Sequence, residues 1–120
     1  MAPLFGSSVG AALLATRPPG EVERLADAAR AMARTRVARQ AIDRTLESLP
    51  QIRSTGYSVT FASLFPDTGA VSMALPPASD GNVLVLGVGG LSDRIRRNER
   101  AIARTMRAAI TTHLVAPARG

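Results

Sequence analysis

The sequence contains no cysteine and no tryptophan, and its aromatic content is 3%. The absence of cysteine excludes disulfides, thiolate metal sites and cysteine nucleophiles. With so few aromatic side chains, any hydrophobic core must be built mainly from aliphatic residues. Lysine is also absent, so all 15 basic residues are arginine. We interpret this bias as a coding preference rather than as selection for guanidinium chemistry.

Groups suited to catalysis or metal binding are scarce. The single histidine, His113, lies near the end of the last predicted helix, where its charge would meet the helix dipole. Asp67 and Asp80 lie in predicted turns, where Asp favours local backbone hydrogen bonds. A metal site needs several clustered ligands, and none cluster in this sequence. We therefore expect no enzyme activity, no metal and no cofactor.

The formal net charge of +6 would suit an acidic partner such as nucleic acid. The arginines are spread over several predicted helices, however, which is typical of solvated helix faces. The densest group, on the last helix, has Glu99 among its arginines, and neither a helix-turn-helix pattern nor stacking aromatics accompany it. A small arginine-rich nucleic-acid-binding protein remains an alternative. The arginines in question are Arg97, Arg100, Arg104 and Arg107.

The chain length of 120 residues fits one domain, and 46% hydrophobic residues is too high for intrinsic disorder. Residues 1–16 lack a basic segment of the kind that begins a secretion signal. The apolar run Val9–Ala15 is too short to cross a membrane. We therefore expect a cytoplasmic location and no membrane partner.

The first half of the chain has helical patterns. Ser7 favours the N-cap of a short helix, and Pro19 can open a second helix that runs to about Ala33. Val22, Leu25, Ala29 and Met32 are expected to share one face of this helix.

A third helical pattern covers Arg36–Thr55 and should end at Gly56. Pro50 lies inside this pattern and removes a backbone donor, so we expect a break or kink near Ser48.

The region from Gly56 to Leu91 contains three strand-like runs separated by two turn signals. The run Val71–Leu75 mixes small and large side chains, whereas Val83–Val88 is almost wholly aliphatic and predicts a strand buried on both faces. Gly87 and Gly89 alternate along this strand and should share one face. Either another backbone packs closely there, or the strand forms the floor of a small cavity.

A final long helix is predicted from Asp93, followed by a frayed tail at residues 115–120. Its apolar stripe consists of Ile95, Ile102, Met106 and Ile110. The whole pattern predicts an α+β fold in which an antiparallel sheet of about three strands packs against helices.

Four segments in order resemble the C-terminal effector-binding domain of the IclR family of bacterial transcription regulators. Residues 3–15, PLFGSSVGAALLA, are similar to the family's PLHATALGKALLA stretch, and residues 52–58, IRSTGYS, to its VRERGYA helix end. Residues 69–76 and 85–95 resemble GVRCIAAPV and AALSVSGPxxRL. The resemblance implies a GAF/profilin-like fold and a small organic effector, often a carboxylic acid, that modulates operator binding.

The resemblance also implies the effector contacts by position. Backbone donors near Ser8 could receive a carboxylate. Gly87 and Gly89 stand where the family has hydroxyl side chains, and Thr60 stands where an acidic residue is common. The effector is therefore expected to be an organic acid or a more apolar molecule. The implied contacts are Ser8, Val9, Thr60, Ser72, Gly87 and Gly89.

Residues 1–120 are expected to form a single domain, part of an IclR-type sensor without a winged helix-turn-helix. DNA would then be bound only through a domain that this chain lacks. Because the first strands of such a sensor are not represented, a sheet edge would be exposed, and we expect a dimer or higher oligomer. A stand-alone dimerisation module with a degenerate pocket is the other alternative.

Overall fold

A computed structural model describes residues 4–62, 65–77 and 79–114, so the predicted tail at residues 115–120 lies outside the described residues. The chain forms three helices, then three strands, then a long helix that ends in one turn of π-helix. In order, these elements are α1 (Ser8–Leu14), α2 (Pro19–Met32), α3 (Arg36–Thr55), β1 (Ser58–Phe61), β2 (Thr68–Ala74), β3 (Val85–Leu91), α4 (Ser92–Ala109) and the π turn (Ile110–Leu114).

The three strands form one antiparallel sheet in the order β1-β2-β3. Ser72 of β2 pairs with Ser58 of β1 and with Gly87 of β3, which fixes the register across the sheet. Strand β2 begins at Thr68, three residues before the predicted run. The α+β class and the three-stranded antiparallel sheet are confirmed.

The two faces of the sheet carry separate hydrophobic cores. Val71 and Met73 of β2 pack against Ile95 and Met106 of α4 and against Ile110 of the π turn. These residues include most of the apolar stripe predicted for the last helix.

On the opposite face, α1 packs on the sheet, α3 packs against α1, and α2 packs against α3. This second core is aliphatic and contains Ala11, Leu14, Val22, Leu49 and Ile52. Alternation of side chains along β2 explains why its neighbouring residues enter different layers.

Local capping chemistry sets several helix ends as predicted. The Ser7 hydroxyl accepts a hydrogen bond from the Gly10 amide at 3.0 Å and caps α1. Gly56 ends α3 with a φ of 88°, a left-handed conformation that glycine adopts without steric cost.

Of the break or kink predicted near Ser48, the break is wrong. Helix α3 continues through Pro50 to Thr55, and the Ser48 hydroxyl donates to the Thr45 carbonyl oxygen at 2.7 Å within the helix. Leu49 and Ile52, on either side of the proline, are buried, while Pro50 itself is exposed. Tertiary packing therefore holds the helix together across one missing amide donor.

The prediction that Val83–Val88 is buried on both faces is also wrong. Strand β3 begins at Val85, lies at the sheet edge, and is exposed from Gly87 onward. Leu84, just before the strand, is 66% exposed, and Leu91, its last residue, is 60% exposed. Met32, the last residue of α2, is 79% exposed. An aliphatic run alone does not distinguish a central strand from an apolar edge strand.

Candidate functional site

Buried serines fasten the start of α1 to the sheet. The Ser8 and Ser72 hydroxyl oxygens lie 2.7 Å apart, and these residues are only 3% and 0% exposed. The Ser58 hydroxyl donates to the Ser8 carbonyl oxygen. Because Ser58 and Ser72 are paired across β1 and β2, both point to the face that carries α1.

A buried threonine of α3 holds the residues just before α1 by a hydrogen bond. The Thr45 hydroxyl accepts from the Gly6 amide at 2.9 Å and donates to the Ala41 carbonyl oxygen at 2.8 Å. The segment that precedes α1 is therefore held on one side by α3 and on the other by the sheet.

A cavity of about 750 Å³ lies among this segment, α3 and β1. Its α3 wall is a polar stripe of Arg44, Ser48, Gln51 and Thr55, spaced by three or four residues so that they share one helix face.

The opposite wall of the cavity comes from β1, and the third side comes from the start of the chain. Ser58, Thr60 and Phe61 contribute from β1, and Phe5 and Ser7 from the segment around α1. The cavity therefore combines hydroxyl groups with aromatic surface.

The two ends of the α3 wall differ in charge. Arg44 is exposed and makes no hydrogen bond or ion pair with any residue in the described ranges. Thr55 precedes Tyr57, whose hydroxyl donates to the Glu99 carboxylate at 2.7 Å. This hydrogen bond, with burial and the carboxylate charge, raises the pKa of Tyr57 above its ordinary value. The Glu99 carboxylate thus has a hydrogen-bond donor within the described residues, whereas the Arg44 guanidinium has no acceptor there.

The residues implied by the resemblance lie on one face of the sheet. Ser8 contacts Ser72, and a side chain at Gly87 would meet the Ser72 hydroxyl at 3.3 Å and Val9 at 3.5 Å. Gly87 and Gly89 therefore share a face, as predicted.

Thr60 pairs with Ala70, which pairs with Gly89, and this row lies on the same face as Ser58, Ser72 and Gly87. Of the six implied contacts, only Thr60 lines the large cavity. Gly87 and Gly89 lie on the β3 side of α1, where the sheet is open to solvent.

Two groups that were predicted to bind the effector are engaged in hydrogen bonds within the protein. The Gly10 amide, one of the donors expected to receive a carboxylate near Ser8, donates to the Ser7 hydroxyl. The Ser72 hydroxyl contacts Ser8 and is fully buried. The role of all six residues in effector binding stays a prediction.

Sequence reasoning missed the α3 wall. Arg44 and Gln51 are absent from the implied contacts because the resemblance gives no role to this helix. The signal that identifies them is the polar stripe beside the apolar spacing of Ile42, Leu49 and Ile52. In the sequence alone, this polar stripe is indistinguishable from a solvent-exposed helix face. Only the position of β1 opposite α3 shows that it lines a cavity.

The remaining ionisable groups form no metal site in the described ranges, where no three His, Asp or Glu side chains cluster. No helix there is long and apolar enough to cross a membrane. His113 lies exposed in the π turn.

The α4 arginines are exposed, and one of them, Arg107, donates to the Thr55 carbonyl oxygen at 2.9 Å. Arg96 lies over the Phe61 ring, 4.2 Å from its centroid. These contacts give Arg96 and Arg107 a structural role, and nucleic-acid binding stays an alternative hypothesis.

Solved structures share this fold. An IclR family transcriptional regulator from Brucella abortus aligns with a TM-score of 0.79 at 24% identity, covering 92% of this chain and 42% of that one. The effector domain of the regulator IclR from Acinetobacter sp. ADP1 aligns with a TM-score of 0.75 at 22% identity, covering 96% of this chain and 67% of that one.

Pseudomonas aeruginosa HmgR is 30% identical, with a TM-score of 0.55, over 78% of this chain and 35% of its own. The chain thus spans less than half of the Brucella and Pseudomonas proteins. No curated protein matches the chain.

The sequence itself matches the family described as bacterial transcriptional regulator IclR C-terminal over residues 1–112. That match covers nearly the whole chain, including α1, the sheet and α4. Together with the shared fold, it accounts for the four motifs that occur in the family's order. The chain therefore belongs to the IclR family, in which it corresponds to the C-terminal domain of the regulators.

Proposed function

We propose that this domain senses a small organic effector in the cavity among α1, α3 and β1, and that occupancy modulates operator binding by an IclR-type regulator. The observation that carries the proposal is the cavity itself. Its volume of about 750 Å³ falls in the range of about 300–1,000 Å³ that is usual for small-molecule sites. Its lining of hydroxyl and aromatic groups, with the cationic Arg44 and the anionic Glu99, suits an organic acid or a partly apolar molecule.

Thermal unfolding of the purified chain with paired compounds tests this proposal. The panel contains aliphatic and aromatic carboxylates, each with its neutral amide, such as benzoate with benzamide. A ligand present at about 100 times its Kd stabilises the folded state by about 2.7 kcal/mol, which raises the unfolding temperature. If no compound in the panel raises it, the proposed function is wrong.

A matched pair of variants locates the site. Ser48 lines the cavity, whereas Ser54 lies exposed on the same helix and does not line it. Ser48→Leu should fill part of the cavity and abolish the ligand-dependent shift, and Ser54→Leu should leave that shift unchanged. Equal shifts in both variants would place the ligand elsewhere.

We also propose that the chain self-associates through the free edge of β3. Proline and charged side chains, especially lysine, usually block the addition of another strand to a sheet edge. Strand β3 has neither, and three of its residues are glycines. The exposed Leu84 and Leu91 add apolar surface beside it. A second copy of the chain can pair with such an edge, and the sheet would then continue across the dimer.

Sedimentation velocity over a range of concentrations tests the dimer. The unmodified chain should sediment as a dimer, and Val88→Asp should produce a monomer because a charge on β3 disfavours pairing. Met32→Asp introduces the same charge at an exposed position on α2 and should leave the dimer intact. A monomer at every concentration for the unmodified chain would contradict self-association.

A further inference from the structure

We infer that Arg44 is the residue that selects a carboxylate in the cavity, an inference that rests on the proposed function. The inferred ligand class is an alkyl or aryl monocarboxylate whose anionic group faces the guanidinium. None of the positions implied by the family resemblance provides a positive charge.

The first step of the argument is charge. Arg44 and Glu99 both line the cavity, but Glu99 accepts a hydrogen bond from Tyr57 at 2.7 Å. No acidic side chain in the described ranges pairs with Arg44, although other arginines, such as Arg17 and Arg30, do form ion pairs. Arg44 therefore offers up to five unused donors in a planar fork that matches the geometry of a carboxylate.

The second step is separation of the charged ends. Arg44 and Thr55 are three turns apart on α3, which corresponds to about 16 Å along the helix axis. Thr55 lies next to the Tyr57–Glu99 end of the cavity because the Tyr57 amide and carbonyl both contact its hydroxyl. An anion beside Arg44 consequently lies near the end of the α3 wall opposite to Thr55.

The third step concerns the surroundings of the guanidinium. Val37 and Ala41 precede Arg44 by seven and three residues, so all three share one face of α3. Phe5 lines the same cavity from the segment before α1. A cation beside apolar surface suits a ligand that joins a carboxylate to a hydrocarbon or aromatic group.

Gln51 supplies a second polar anchor. It lies seven residues after Arg44 on the same polar stripe and makes no hydrogen bond with any described residue. Its amide carries both donors and an acceptor, so it can bind a polar substituent at the far end of the ligand. The α3 wall thus provides one charged and one neutral group for recognition.

The test compares carboxylates with their neutral amides by isothermal titration calorimetry, starting from benzoate and benzamide and using the other pairs of the panel. The unmodified chain should bind the carboxylate of at least one pair more tightly than its amide. Arg44→Gln should weaken carboxylate binding by at least about fivefold and leave amide binding within about twofold, because a charge-assisted hydrogen bond is lost. Added salt should weaken carboxylate binding to the unmodified chain and have little effect on the variant.

Arg36→Gln is the matched control. Arg36 lies exposed on the same helix and does not line the cavity, so its loss changes the net charge equally. If both variants weaken the carboxylate to the same extent, or if neither does, the role of Arg44 is overturned while the proposed function stands. If the unmodified chain binds neither member of any pair, the proposed function fails, and the role of Arg44 fails with it.

Discussion

The Ser8 hydroxyl lies 2.7 Å from the Ser72 hydroxyl, and this hydrogen bond joins the first residue of α1 to the central strand of the sheet. Both side chains are buried, so neither can exchange its partner for bulk water. Both serines are among the contacts that the family resemblance implies, but neither lines the cavity among α1, α3 and β1. The contact is therefore expected to contribute to stability.

Ser72→Ala should lower the free energy of unfolding by about 1–3 kcal/mol, because the Ser8 hydroxyl loses its buried partner. Urea unfolding measures the change. Ser54→Ala, on the exposed face of α3, should change it by less than about 0.5 kcal/mol. The double variant Ser8→Ala with Ser72→Ala should lose less than the sum of the two single losses. Additive losses would show that the two hydroxyls do not interact.

Two glycines should respond to alanine in opposite directions. A Cβ at Gly10 would lie 2.0 Å from the Leu4 carbonyl oxygen, so the segment before α1 would have to move. Gly10→Ala should therefore lower the free energy of unfolding by at least about 2 kcal/mol. A Cβ at Gly89 would meet only the Gly69 carbonyl oxygen, at 3.7 Å.

Gly89→Ala should raise the free energy of unfolding by about 0.5–1 kcal/mol, because glycine within a strand loses more chain entropy than alanine. The same urea titration measures both variants. Destabilisation by Gly89→Ala as large as that by Gly10→Ala would indicate that the sheet face at Gly89 is covered in solution.

Features that depend on neighbouring residues could be predicted from the sequence. The Ser7 cap of α1, the Pro19 start of α2 and the Gly56 end of α3 each follow from one residue's backbone preference or hydrogen bonding. The order of helices and strands could also be predicted, because the helical spacing of apolar residues stops at Gly56 and strand-like runs follow it.

Features that depend on strand order and on distant contacts could not be predicted in the same way. Val83–Val88 looks like a central strand, but pairing places β2 in the centre and β3 at the edge. The role of Arg44 in the cavity likewise depends on β1 lying opposite α3, which no local pattern specifies. Pro50 was misjudged because packing of Leu49 and Ile52 outweighs one missing amide donor.

The proline within α3 should still cost stability. Pro50→Ala supplies the missing amide, which can donate to the Leu46 carbonyl oxygen, and removes the clash of the ring with the preceding turn. Part of this gain is offset because proline also restricts the unfolded chain. The expected net increase in the free energy of unfolding is about 1–2 kcal/mol, measured by urea titration.

Pro19→Ala is the matched control for this effect. Pro19 is the first residue of α2, where the helix requires no amide donor. Its replacement should give no increase in stability. If Pro50→Ala behaves like Pro19→Ala, then α3 already accommodates its proline without loss.

The hydrogen bond from Tyr57 to Glu99 should be visible in a pH titration. Tyr57 is the sole tyrosine, and the chain has no lysine or cysteine, so no other side chain ordinarily titrates near pH 10. The folded-state pKa is raised, first because the hydroxyl donates to Glu99 and then because of burial and the carboxylate charge. Tyrosinate absorbance should therefore appear at a higher pH in the folded chain than in the urea-unfolded chain.

The direction of the pKa shift also fixes how stability depends on pH. A folded-state pKa above the unfolded value means that this contribution to stability is complete below about pH 10 and is lost as pH rises through the folded-state value. Glu99→Ala removes the acceptor, and the nearby Arg100 and Arg107 charges then favour the tyrosinate, so its absorbance should appear at lower pH. Glu47→Ala, exposed on α3, should not move it. An unchanged midpoint in Glu99→Ala would mean that burial alone raises the pKa of Tyr57.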